Sequence, residues 1–186
     1  MPRDLTDRRV RRTRARLAMA AQAMLEEGRW HSASVQDLAD RADLARSSVY
    51  AHFTGKAAVL HLLVDRALTG AEEEMGGLVR REGRLLTLAW LSWHVRSLRP
   101  LYREVLGLRG PADLRRKLAL RVESLLAIEL RRSGQEPAPE TVRFVVAGLL
   151  AVLEDWVAKK DAALTGDLEE RLSTMVRPLL PVPVAA

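Results

Sequence analysis

Cysteine is absent from the 186-residue sequence, which excludes a disulfide framework, thiolate chemistry and cysteine-ligated metal, and is compatible with a cytoplasmic location. Aromatic residues make up only 4% of the chain. With so few of them, and with leucine, alanine and valine supplying most apolar positions, helices are favoured over strands. Long apolar runs are missing as well. The longest, FVVAGLLAVL at 144–153, falls well short of the roughly 20 residues that cross a bilayer, so no membrane partner is expected. The stretch RRTRARLAMAAQAML has the basic-then-apolar order of a secretory leader, but Gln22 breaks its apolar part and Glu26 and Glu27 follow. The four histidines, His31, His52, His61 and His94, lack metal-ligand spacing, and neither a GxSxG elbow nor a phosphate-cradling glycine loop occurs. No catalytic residue, metal or cofactor is therefore expected, and the chain is not read as an enzyme.

What is present is core material and positive charge. Hydrophobic residues are 48% of the chain, enough for one medium domain or a small module joined to a larger one, and the expected fold class is all-α. The net charge of +6 is unevenly placed. Residues 1–16 hold Arg3, Arg8, Arg9, Arg11, Arg12, Arg14 and Arg16 against Asp4 and Asp7, seven positive side chains and two negative, for a balance of +5. Such clustering points to a polyanion, nucleic acid or an anionic membrane surface, because each neutralised phosphate releases counterions. An arginine-rich genome would give the same pattern without any partner.

Hydrophobic periodicity predicts a first helix over residues 8–27, with Leu17, Ala21, Met24 and Leu25 on one stripe and Gly28 as its stop. Ser34 followed by Asp37 reads as the N-cap of a short second helix that buries Val35, Leu38, Ala39 and Ala42. Asp43 takes the turn, Leu44 is expected to plug the core, and a third short helix over 45–52 buries Val49 and Phe53. Thr54 is expected to cap a fourth helix, in which Val59, Leu60, Leu63, Val64, Ala67 and Leu68 recur at three- and four-residue spacing until Thr69 and Gly70. The glycine pair of AEEEMGG weakens any continuation. Longer helices follow over 83–98, 100–107, 112–133, 139–160 and 167–177, separated by Pro100, GLRGPA, SGQEPAP and LTGD. The expected division is residues 1–54, a connecting helix over 55–80, and residues 81–186, with a loosely ordered tail from Pro178.

Two short helices joined by a tight turn, the second with Arg46, Ser47, Ser48 and Tyr50 free of apolar duty, describe a helix-turn-helix. Arg46 reaches guanine O6 and N7 in the major groove, and Ser47 and Ser48 bond base edges or phosphates. Tyr50, His52 and Lys56 are assigned to phosphate, with Ser34 at the start of the second helix completing the DNA-binding set. A buried histidine bonded to a backbone carbonyl is the alternative for His52.

VQDLADRADLARSSVYAHFTGKAAVL, residues 35–60, resembles the DNA-binding signature of the TetR family of bacterial transcriptional regulators, in which a Tyr-x-His-Phe run and a following lysine close the motif. ARLAMAAQAMLEEG extends the likeness upstream, so it covers about the first third of the chain. The resemblance implies a homodimer, an N-terminal three-helix DNA-binding domain and a C-terminal helical domain that dimerises and binds a small effector. Three positions depart from the pattern. Asp43 stands where the family usually has glycine, Ala45 where it has a capping serine, and the segment between Gly28 and Val35 is one residue longer than typical.

In the C-terminal region Trp90, Trp93, His94, Tyr102, Phe144 and Trp156 gather most of the larger aromatics and are the candidate lining of an effector cavity, with plain core as the alternative. His94 and Arg99 are the candidates for orienting a polar or acidic effector. PETVRFVVAGLLAVLEDWVAKK carries Val142, Val145, Val146, Leu149, Leu150, Leu153, Trp156 and Val157, with Ala147 and Gly148 permitting close backbone approach. Together with DLEERLSTMVRPLL it forms the expected homodimer interface, within residues 139–177, with a central core helix as the alternative. The function expected from the whole is a ligand-responsive regulator, most often a repressor, that holds a palindromic double-stranded DNA operator as a dimer. A sequence-independent DNA-binding protein without an effector is the alternative.

Overall fold

The computed structural model describes residues 3–78, 84–159 and 168–180, with side chains from residue 8 onward. Every regular element among them is helical, as the composition predicts. In chain order they are α1 (Arg3–Glu26), α2 (Val35–Arg41), α3 (Arg46–Tyr50), α4 (Lys56–Leu68), α5 (Ala71–Gly76), α6 (Leu86–Ser97), α7 (Arg99–Leu106), α8 (Ala112–Arg132), α9 (Pro139–Ala158) and α10 (Leu168–Val176), closed by a 3-10 turn over Arg177–Leu179. The chain divides into two compact units, Met1–Ala67 and Leu68–Ala186.

In the first unit α1 begins at Arg3 rather than residue 8, so the arginine-rich segment is helical, as a good helix former permits. The helix stops at Gly28, whose φ of +67° is the left-handed conformation that glycine adopts without a steric penalty. Gly28 N–H donates to Leu25 C=O at 3.0 Å and Arg29 N–H to Met24 C=O at 2.9 Å, a Schellman ending. Leu17, Met24, Leu38, Ala39, Val49, Phe53, Val59 and Val64 form the buried centre where α2 packs on α1 and α3. Leu44 and Val35 are only half-buried, contrary to expectation. Each stands just outside or at the first residue of a short helix, where the bundle thins. α4 starts at Lys56, two residues after the expected cap Thr54.

The second unit packs α9 on α7 and α8, and α6 on α5, α8 and α10. Its helices match the expected ranges to within three residues, except for the unexpected α5. The first turn of α5 carries Glu72, Glu73 and Glu74, which suit the positive end of a helix, and Gly77 ends the helix instead of preventing it. The α7–α8 turn depends on Gly110, since a Cβ there would fall 2.3 Å from the Val105 carbonyl oxygen. α6 has no side-chain cap of its own. Glu129 from α8 supplies it, accepting from Leu86 N–H at 2.6 Å and Thr87 N–H at 2.8 Å. Arg84 and Glu169 form a bidentate pair at 2.6 and 2.9 Å that ties the residues before α6 to α10. Pro178 and Leu179 lie in the closing turn, which Leu180 caps, so the expected tail starts ordered; residues 181–186, the LTGD break and the boundary at residue 80 fall outside the described residues. Among the described residues no helix is long and apolar enough to cross a membrane.

All eight apolar residues expected on α9 are buried, but inside this one chain. Leu149 and Leu153 are 3% and 0% exposed, so they belong to the core of the unit and are not available to a second copy. The exposed positions of α9 include Phe144, Ala147, Gly148 and Ala151, flanked by Arg143 and Asp155.

Candidate nucleic-acid interface

The N-terminus of α2 is closed by a reciprocal cap. Asp37 N–H donates to Ser34 Oγ at 3.1 Å, while the Asp37 carboxylate accepts from both Ser34 N–H and Ser34 O–H at 2.7 Å. The Ser34 backbone and hydroxyl bonds hold the Asp37 carboxyl below the usual carboxylate range, with Arg29 and Lys56 adding to the effect. Ser34 is exposed, but its hydroxyl is engaged in starting the helix.

The turn into α3 repeats the ending of α1 with aspartate in the place of glycine. Asp43 has φ +49°, the one described non-glycine residue with positive φ. Its N–H donates to Asp40 C=O at 3.0 Å and Leu44 N–H to Ala39 C=O at 2.9 Å, again a Schellman pair. An aspartate tolerates this region at a cost that its side chain partly offsets by local bonding. Here Arg16 of α1 donates to both the Asp43 carbonyl at 2.6 Å and its carboxylate at 2.5 Å, which fastens the turn to the first helix. Ala45 follows with cap geometry but no capping side chain.

α3 then divides by face. Val49 and, just beyond the helix, Phe53 are buried, with the Arg14 guanidinium over the Phe53 ring at 5.4 Å. Arg46, Ser47 and Tyr50 are exposed, and Ser48 and His52 are half-buried at the margin. The Arg46 guanidinium lies 5.6 Å from the centre of the Tyr50 ring, with Nη2 donating to the Tyr50 hydroxyl at 3.4 Å. These five side chains make one outward surface of guanidinium, hydroxyl, phenol and imidazole groups, the chemistry that reads base edges and grips phosphate.

Lys56 does not join that surface. Its ammonium donates to the carbonyls of Trp30 at 2.6 Å, Ala33 at 2.7 Å and His31 at 3.4 Å, and sits over the Trp30 ring at 5.0 Å. Trp30 is only 4% exposed. No sequence signal singled it out, because its partner is 26 residues away and neither follows from helical spacing.

Residues 17–63 match the sequence profile of the bacterial regulatory proteins, tetR family. The N-terminal domain therefore has the character of a TetR-family DNA-binding domain, over about a quarter of the chain. Its helix-turn-helix is the DNA-binding element of a transcription regulator. No curated protein matches the chain. Solved structures share its fold along nearly the whole length. A TetR transcriptional regulator from Streptococcus agalactiae is 19% identical with a TM-score of 0.66, covering 92% of this chain and 97% of that one. GusR of Salmonella enterica is 20% identical at 0.67, covering 90% and 95%. The repressor AlkX of a Dietzia strain is 19% identical at 0.54, covering 92% and 99%. Identities this low establish the fold of the second unit and leave its ligand to the residues themselves.

The second unit holds a polar chain at the candidate effector residues, which runs from exposed Glu74 to buried Trp90, His94 and Tyr102. Trp90 N–H donates to Glu74 Oε2 at 2.7 Å, His94 Nδ1 lies 3.8 Å from the same oxygen, and His94 Nε2 is 2.9 Å from the Tyr102 hydroxyl. The tautomer protonated on Nδ1 satisfies both neighbours, since it faces the carboxylate and leaves Nε2 to accept from Tyr102. Trp90 stacks on His94 with ring centres 4.5 Å apart. Burial pushes the His94 pKa down to about 4, against the pull of Glu74, and pushes the Tyr102 phenol up. Trp156 is buried under the Arg99 guanidinium, 5.6 Å from its ring centre. Among the described residues neither Trp156 Nε1 nor Arg99 Nε has a hydrogen-bond partner, although both atoms are buried. Trp93 and Phe144 stand apart from this group, 53% and 68% exposed, because each falls on the outward side of its helix. Among the described residues no group of three or more histidine, aspartate or glutamate side chains is placed to hold a metal ion.

Proposed function

We propose that this protein is a cytoplasmic, ligand-responsive transcriptional repressor that binds a palindromic operator as a homodimer and is released by a small effector. The observation that carries the reading is the outward face of α3, where Arg46 is stacked on Tyr50 beside exposed Ser47 in a domain of the TetR family. Arg46, Ser47 and Ser48 take the base edges, and Tyr50, His52 and the α2 start at Ser34 take the flanking phosphates. The dimer reading is supported by Phe144, Ala147, Gly148 and Ala151, small and apolar positions that this chain leaves exposed on α9. The effector reading is supported by the buried His94–Tyr102 pair and by Arg99 Nε and Trp156 Nε1, buried donors without a partner among the described residues, which suit a molecule carrying an acceptor or carboxylate. One structural neighbour, AlkX, is a repressor. The test is selection from random duplexes with the full-length protein. An inverted repeat with half-sites about one DNA turn apart is expected. Recovery of binding without sequence preference, steeply weakened by salt, would defeat the reading.

A further inference from the structure

We infer that Lys56 is a positioning residue of the DNA-binding domain, which acts by gathering the carbonyls of the α1–α2 connection and not by touching phosphate. The inference rests on the DNA-binding reading of α3. A lysine ammonium has three N–H donors, and each has a backbone oxygen within this domain, at 2.6, 2.7 and 3.4 Å. The ammonium also lies 5.0 Å from the centre of the Trp30 ring. The three carbonyls converge because the connection between Gly28 and Ser34 coils into a single turn, closed by Ala33 N–H and the Ser32 hydroxyl donating to Arg29 C=O at 3.0 and 3.1 Å. That turn ends at Ser34, whose hydroxyl starts α2. Lys56, the first residue of α4, therefore fixes the level at which α2 begins, and through α2 the left-handed turn and the angle of α3. The longer connection noted in the sequence is the segment that the ammonium gathers, so its extra length is coiled against Trp30 in place of looping outward.

Lysine is suited to this task in a way that arginine is not. A tetrahedral ammonium accepts three carbonyls converging on one nitrogen, whereas the planar guanidinium spreads its donors in a fork. A phosphate contact would survive exchange of one cation for the other. The experiment compares Lys56→Arg and Lys56→Met with the wild-type full-length protein, using the duplex that the wild type selects from a random pool. Amide hydrogen exchange of the free proteins is measured alongside DNA affinity across salt concentrations. The expected result is exchange at least about tenfold faster at Ala33, Asp37 and Leu38 in both variants, with amides of α6 and of the Leu17–Met24 segment unchanged. DNA affinity falls in both while the salt slope stays at the wild-type value. Unchanged exchange in both variants overturns the inference. So does a slope reduced by about 0.9 in Lys56→Met together with wild-type behaviour of Lys56→Arg, the signature of one lost phosphate contact. Failure of the wild type to select any duplex would instead defeat the DNA-binding reading itself, and the exchange result would still decide the role of Lys56 in the fold.

Discussion

The two units use their distinctive polar side chains differently. Between Met1 and Ala67 three of them, at or near the surface, bond backbone: Ser34 starts α2, Arg16 holds the Asp43 turn, and Lys56 gathers three carbonyls. Between Leu68 and Ala186 the distinctive polar groups reach inward and bond one another, in the Glu74, Trp90, His94 and Tyr102 chain. The first arrangement fixes the shape of an outer surface. The second keeps a titratable group and several donors in a low-dielectric interior, where any change in charge or partner is felt strongly. Under the proposed function, a surface that matches a rigid polymer and an interior that responds to a small molecule would call for these two different uses of the same side-chain chemistry.

The strongest challenge to this contrast is a charge placed inside the second unit. Leu153→Glu buries an unpaired carboxylate at a fully buried site and is expected to cost more than about 4 kcal/mol, abolishing the cooperative thermal transition seen by circular dichroism. Phe144→Glu on the exposed side of the same helix is expected to change protomer stability by less than about 0.5 kcal/mol while halving the sedimenting mass. Equal losses from both would erase the distinction between core and interface on α9.

Acid is the next largest perturbation. The unfolded chain takes up a proton at His94 near pH 6.5, whereas the folded chain does so only near pH 4, so the folded state binds fewer protons between those values. The stability contributed by neutral His94 is complete above pH 6.5 and declines as pH falls toward 4, by on the order of 3 kcal/mol. Melting temperatures between pH 7.5 and 4.5 should therefore fall in the wild type and flatten in His94→Gln. A slope that persists in the variant would assign the acid response elsewhere.

In the first unit the effects are smaller and local. Asp43→Ala leaves a Cβ at φ +49° without the carboxylate that Arg16 holds, and should cost about 1 to 2 kcal/mol in urea unfolding. Ala45→Ser supplies the missing N-cap of α3 at a residue already in cap geometry, and should gain about 0.5 kcal/mol. A loss at Ala45→Ser would mean that the turn leaves no room for the hydroxyl to reach back.

What the sequence disclosed follows the range of the interactions. The Ser34 and Asp37 cap, the left-handed Asp43 and the bare cap at Ala45 were all legible, because each is decided within three or four residues. Lys56 was read as a phosphate contact because its place in the motif invites that role; its true partners lie on a connection 23 to 26 residues earlier. Leu149 and Leu153 were placed at a subunit interface because a helix apolar on several sides needs cover, and periodicity does not say whether the cover comes from the same chain. α5 escaped notice for a similar reason. Its six residues are too few to announce a helix, and Trp90 N–H supplies from outside a partner for Glu74 on it. Trp93 and Phe144 shared a composition with Trp90 and Trp156 but not a face.

The stacking of Arg46 on Tyr50 has a consequence for the thermodynamics of recognition. A free arginine side chain loses rotamer entropy worth up to about 2 kcal/mol when a ligand orders it. Holding the guanidinium on the Tyr50 ring before DNA arrives shifts part of that ordering into the folding of the protein. Tyr50 then contributes to affinity beyond any phosphate contact of its own. Its removal would register in calorimetry as a less favourable binding entropy, in addition to the enthalpy of the lost phosphate contact.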